Sequence, residues 1–165
     1  MIQVATGHLT SCALDSDQKV SCWGSDVDES ISGRPTGDER FYQIVSEGLY
    51  ETCVLNESGL FQCWGGSWWD FNKSGDYIQI DVSQYAFCAV DTAGQVDCWE
   101  YSYEQPAISV PDGDYVQVSA GYDHACAITR EGGVQCWGSD ERTQVSAAPA
   151  ELWQYRSDDC LLDVY

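Results

Sequence analysis

Cationic side chains are scarce in this chain of 165 residues. Lys and Arg together number 7 against 27 Asp and Glu, for a formal charge of -20 and a pI near 4.1. That scarcity excludes nucleic-acid binding, because phosphate backbones are held by Lys and Arg. It excludes docking on an anionic membrane leaflet for the same reason. Long apolar runs are also missing: no stretch of 18 apolar residues exists, so no membrane-spanning helix is predicted. No basic segment followed by an apolar one opens the printed sequence. A secretion signal is therefore expected to have been cleaved, or to lie outside a partial chain. Nor does any stretch sustain a period of 3.6 with good helix formers, which points to an all-β chain. What remains, 44% apolar and 13% aromatic residues, suffices for the core of one domain.

The cysteines are the most ordered feature. They stand at 12, 22, 53, 63, 88, 98, 126, 136 and 160, and the first eight form four pairs, each ten positions apart. Within a pair a short apolar run, a turn and a second apolar run follow one another, as in Cys53-Val54-Leu55, Asn56-Glu57-Ser58-Gly59 and Leu60-Phe61-Gln62-Cys63. This is the pattern of a β-hairpin with its cysteines facing each other. Directly opposed residues of an antiparallel pair are about 4.5–5.5 Å apart at Cα, a distance that a disulfide accepts. The expected bridges are Cys12–Cys22, Cys53–Cys63, Cys88–Cys98 and Cys126–Cys136. Closing such a loop stabilises by roughly 2.5–3 kcal/mol in the chain-entropy account. Zinc knuckles need two to four intervening residues, and only His8 and His124 could assist, so no metal site is expected. Disulfides imply an oxidising compartment and an extracellular or cell-surface protein.

The repeat is wider than the cysteines. Each hairpin follows an extended segment with a glutamine in register: Gln3, Gln43, Gln79 and Gln117. A tryptophan follows each second cysteine, at Trp23, Trp64, Trp99 and Trp137, and is expected to pack between units. The repeats are read as 2–39, 40–76, 77–114 and 115–150. Units of roughly 37 residues with short strands and glycine turns suit a propeller blade rather than a helical repeat. The expected fold is a small all-β propeller of four repeats, or about four blades, plus a C-terminal half-repeat.

The fourth copy sharpens this. Val116-Gln117-Val118-Ser119-Ala120-Gly121, His124, Cys126 and Gly133-Val134-Gln135-Cys136-Trp137-Gly138 resemble a regulator of chromosome condensation repeat, and in particular the bacterial, cysteine-paired version of it. The resemblance runs from residue 2 to about 148. It implies blades of four antiparallel strands around a central axis. Members of the family are usually seven-bladed, whereas four complete copies are present here. The family's nuclear member is a nucleotide exchange factor that engages chromatin, a role that an acidic, cystine-rich chain gives no reason to carry over. Secreted bacterial relatives act as protein-binding scaffolds, including an inhibitor of β-lactamases.

Residues 151–165 keep the repeat phase. Gln154 lies 37 residues after Gln117, and Cys160-Leu161-Leu162-Asp163 resembles Cys12-Ala13-Leu14-Asp15. The tail reads as the opening half of a fifth repeat, with Cys160 left without a hairpin partner. It is either a cap with a buried free thiol or a connector strand that completes a neighbouring molecule, with Trp153, Tyr155, Leu161 and Leu162 as interface residues.

Chemistry is thin. Asp15/Asp17, Asp26/Asp28 and Asp112/Asp114 sit in predicted turns where Asp is favoured anyway. His124 is expected to be a hydrogen-bonded structural residue. No nucleophile elbow, phosphate-cradling loop or metal-protease helix is present, so no catalytic residue and no cofactor is assigned. Trp68, Trp69 and Phe71 have no counterpart in the other copies and form a candidate interface or sugar-stacking platform. The favoured function is a structural subunit that assembles with itself into a ring or filament through strand or tail exchange. The alternative is a secreted binding module for a glycan or a partner protein.

Overall fold

The computed structural model describes residues 3–47, 51–66, 72–100 and 109–149. They form four small antiparallel sheets, taken up one after another along the chain. The first contains β1 (Gln3–Thr6), β2 (Thr10–Leu14) and β3 (Val20–Gly24). The second contains β4 (Phe41–Glu47), β5 (Glu51–Asn56), β6 (Leu60–Trp64) and β7 (Asn72–Ser74). The third is β8 (Tyr77–Val82), β9 (Ala86–Asp91) and β10 (Val96–Glu100), and the fourth is β11 (Tyr115–Ala120), β12 (His124–Thr129) and β13 (Val134–Gly138). Each sheet is a meander in chain order, which is the construction of a propeller blade. A single 3-10 turn, Val27–Glu29, lies in the first connector.

Local chemistry sets each hairpin. The residue three places after the first cysteine turns the chain with its side-chain oxygen. Asp15 Oδ1 accepts from Asp17 N and Lys19 N, Asn56 Oδ1 from Ser58 N and Leu60 N, and Asp91 Oδ1 from Ala93 N and Gln95 N. Thr129 Oγ1 takes the same place in the fourth copy, accepting from Gly133 N. These are side-chain mimics of a backbone turn, for which Asp, Asn and Thr are suited. Gly59 shows why a residue without Cβ follows: its φ is +76°, and a Cβ there would meet Gly75 O at 1.9 Å.

The turns put the cysteines opposite one another, as the spacing requires. Cys12 pairs with Cys22, Cys53 with Cys63, Cys88 with Cys98 and Cys126 with Cys136 in register. All four are bridged, with Cα separations of 4.0–4.2 Å. That is closer than the anticipated span and matches the narrow, non-hydrogen-bonded kind of antiparallel pair.

Stacking the sheets makes three cores, one for each successive pair. Leu14 and Cys12 of blade one meet Ile44, Val54, Phe41 and Trp64 of blade two. Leu55, Phe61 and the Cys53–Cys63 bridge meet Ile80, Tyr77, Phe87 and Ala89 of blade three, with Trp99 packed against them. Val90, Val96 and Cys88 meet Val118, Tyr115, Ala127 and Trp137 of blade four. Every blade therefore has a leading face, with the tryptophan and the residue after the glutamine, and a trailing face, with the disulfide. The second strands of the middle blades are buried on both faces, Thr52–Asn56 and Ala86–Val90 without a break. In β2 and β12 burial alternates along Thr10–Leu14 and His124–Ile128, as it does when one face only is covered.

Candidate functional site

The glutamines join the blades. Gln43 donates from Nε2 to Ile80 O and accepts from Ile80 N, both at 2.8 Å. Gln79 repeats the clamp one blade on, donating to Val118 O at 3.1 Å and accepting from Val118 N at 2.7 Å. Gln3 Oε1 accepts from Ile44 N at 2.8 Å. In each case the side-chain amide meets the backbone of the residue just after the next blade's glutamine. A side-chain amide carries a donor and an acceptor on separate atoms side by side, which is what a backbone N–H and C=O require. Asp81 adds a contact between blades three and four, its Oδ2 accepting from Ala120 N and Ser119 Oγ, while burial raises its carboxyl above the usual range.

The tryptophans follow the same rule with one exception. Trp64 and Trp137 are 2% and 5% exposed, and Trp99 packs on Phe61 of the blade before it. Trp23 is 53% exposed. Trp23 departs from the expected place between blades because no blade of the described residues covers the leading face of blade one. Val4 on the same face is 60% exposed, where its counterparts Ile44, Ile80 and Val118 are at 1%, 0% and 1%. At the other end Gln117 is exposed, whereas Gln3, Gln43 and Gln79 are half-buried. The blades thus form an arc with an open face at each end of the described residues.

The remaining candidates fall into place around this arc. His124 stacks over Gly121, where a Cβ would meet the ring at 2.3 Å. Its Nδ1 is buried without a hydrogen bond, 3.4 Å from Asp123 Oδ1, so packing rather than hydrogen bonding holds it. Asp15 turns a hairpin, Asp26 accepts from Ile31 N and Ser32 N at 2.8 Å, and Asp114 pairs with Arg130 at 2.9 Å. Those backbone donors hold the Asp26 carboxyl below its ordinary range. Among the described residues no group of three or more His, Cys, Asp or Glu could hold a metal ion. A groove of about 320 Å³ beside the first connector is lined by Lys19, Arg34, Asp38, Glu39 and Phe41. Its cations are engaged, Lys19 Nζ with Gly37 O and Glu39 O and Arg34 Nη1 with Ile31 O. One rim of the arc, formed by the loops between the first two strands of blades one, three and four, exposes Leu9 and Tyr122. Tyr122 meets Tyr85 of the neighbouring blade edge to face, with centroids 4.4 Å apart. Trp68, Trp69, Phe71, Trp153, Tyr155, Cys160, Leu161 and Leu162 lie outside the described residues.

Comparison with known proteins agrees with this construction. The family model for the regulator of chromosome condensation (RCC1) repeat matches residues 1–28 and 115–144, in the first and fourth copies. The first and fourth copies thus match the RCC1 repeat. Among solved structures it is similar to the ectodomain of the receptor kinase CR4 from Physcomitrella patens, with a TM-score of 0.74 and 24% identity, covering 92% of this chain and 46% of that one. The CRINKLY WD40 ectodomain of ACR4 from Arabidopsis thaliana gives a TM-score of 0.65 at 25% identity, covering 81% and 51%. Prp20p from Saccharomyces cerevisiae, described with its binding to Gsp1p and histones, gives 0.65 at 16% identity, covering 90% and 48%. The chain spans about half the length of these proteins. None of the curated proteins matches it.

Proposed function

We propose that this RCC1-repeat chain is a non-enzymatic extracellular structural subunit that works by assembling with copies of itself. One observation carries the reading: positions that internal blade junctions cover, Val4 and Trp23 among them, lie open at the ends of the arc of described residues. Large apolar side chains held open on a flat sheet face are typical of contact surfaces. The four disulfides and the likeness to two receptor-kinase ectodomains support an extracellular location. Subunits of charge -20 repel, so association strengthens as salt or divalent cations screen them. Sedimentation velocity on the purified chain tests this across protein and salt concentration. Species larger than a monomer that grow with both are expected, and a monomer under all conditions overturns the reading.

A second reading rests on a different observation. The rim exposes Leu9 and Tyr122, the latter packed on half-buried Tyr85, and would suit a binding module for a partner protein. Prp20p, with a similar fold, binds proteins. This reading takes over if the chain stays monomeric and Tyr122→Ala abolishes capture of a partner by an otherwise stable protein.

A further inference from the structure

The two end faces of the arc of described residues are complementary halves of the junction that these residues make three times internally, and we infer that they dock on each other between copies. This deepens the assembly reading and rests on it.

The trailing end is prepared for a blade. In the first connector, Asp26 turns the chain after Trp23-Gly24-Ser25, Glu29 has a positive φ of 59°, and Gly33 N and Arg34 N donate to Glu29 O and Ile31 O. That shape buries Ser30, whose carbonyl accepts the indole N–H of Trp64 from the next blade at 3.1 Å. The segment after blade four copies it. Asp140 follows Trp137-Gly138-Ser139 and accepts from Val145 N and Ser146 N, each at 2.9 Å. Thr143 has a φ of 64°, and Ala147 N and Ala148 N donate to Thr143 O and Val145 O. By the same offsets the carbonyl of Gln144 stands where that of Ser30 receives a tryptophan. Beside it, Gln117, Ile128 and Val134 align across the trailing face in the places of Gln3, Leu14 and Val20 of blade one.

The leading end carries what this receptor takes. Val4, Ala13 and Ser21 form one row across blade one, and Thr6, Ser11 and Trp23 the next. Val4 stands where Ile44 and Ile80 meet the preceding glutamine, and Trp23 where Trp64 reaches a connector carbonyl. These rows and that of Gln117, Ile128 and Val134 carry no charge, in a chain with 27 acidic residues. The occupant is therefore the leading face of blade one of a second copy. Gln117 of one copy clamps the Val4 backbone of the next, and the Trp23 indole of that next copy donates to the Gln144 carbonyl. Such a contact is heterologous, so it propagates into a filament or closes into a ring.

Two variants, each spoiling one face, test the pairing. Trp23→Glu removes the leading face and Ile128→Glu the trailing face, and circular dichroism and non-reducing peptide mapping establish that each retains its strands and four disulfides. Each alone is expected to weaken association by roughly tenfold or more, as loss of a central anchor does. Mixed, they share one intact junction per pair, so light scattering should find a 1:1 heterodimer that grows no further. Gln117→Ala, at an exposed side chain, gives a milder version without a folding cost. If the wild type assembles but none of these variants alters it, the face pairing is wrong while assembly stands. If each variant alone blocks assembly and the mixture stays monomeric, the contact is not head-to-tail and the inference falls. Truncation after residue 149 separates the remaining occupant. Assembly that survives it agrees with face pairing, and assembly lost with it belongs to the tail and overturns the inference.

Discussion

Trp64 and Trp23 hold the same place in their repeats, one residue after the second cysteine, yet Trp64 is sealed in the first core and Trp23 stands open. Ile44 and Val4 differ in the same way. The same motif in the same hairpin is core in one copy and surface in another, so a blade's side chains acquire their energetic role from the neighbour. This is the behaviour of a quasi-one-dimensional repeat protein, whose stability is a sum of units and junctions with weaker ends.

Substitution of the paired tryptophans should break the comparison most visibly. Trp64→Ala removes a buried indole from a junction and is expected to cost about 3–5 kcal/mol, whereas Trp23→Ala in the monomer should stay within about 0.5 kcal/mol. Denaturant melts of the two variants check this, and equal losses would mean that the leading face of blade one is covered. Next come the disulfides. Opening Cys53–Cys63, with both sulfurs buried, by a double change to Ser should cost about 2–4 kcal/mol. Opening the half-exposed Cys126–Cys136 should cost less, because no blade of the described residues covers its trailing face. The glutamines give a finer contrast. Gln79→Ala strands the Val118 backbone inside a junction, at about 1–3 kcal/mol, while Gln117→Ala should leave thermal unfolding of the monomer unchanged.

The smallest effect separates two blades by pH. Tyr77 donates to Asp97 Oδ2 at 2.9 Å, and burial together with that carboxylate pushes its phenol up to about 12. Phe41 fills the equivalent place in blade two without a hydroxyl. A folded value above the unfolded one, about 10, means that the protonated hydroxyl stabilises fully below pH 10. That contribution is lost as pH rises towards 12. Tyr77→Phe should therefore lower stability by about 1 kcal/mol at neutral pH and flatten the alkaline decline between 10 and 12, measured by urea midpoints. An unchanged alkaline slope would show that Tyr77 is not the group responsible.

Much of the blade was legible beforehand. Ten-residue cysteine spacing around Asp15, Asn56 and Asp91 reads as a hairpin, since turn chemistry and cross-strand distance are both local. The in-register glutamines were visible as a repeat, but their clamp was not, because each partner lies about forty residues away on another sheet. The Trp-Gly-Ser-Asp sequences at 23–26 and 137–140 were equally open to inspection. Their shared connector shape showed itself only through the backbone donors that gather on Asp26 and Asp140. The expectation that every tryptophan packs between blades failed at Trp23 for a related reason: position in a repeat names a face, not what lies against it.

The amino-acid sequence by itself determined the strands, the hairpin turns, the four bridges and the phase of the repeat, because all of these depend on residues within one unit. The tertiary structure alone decided which faces are buried, which glutamine has a partner and which tryptophan stands open. Those depend on the presence of a neighbouring blade, and burial is a property of two surfaces that no single repeat contains.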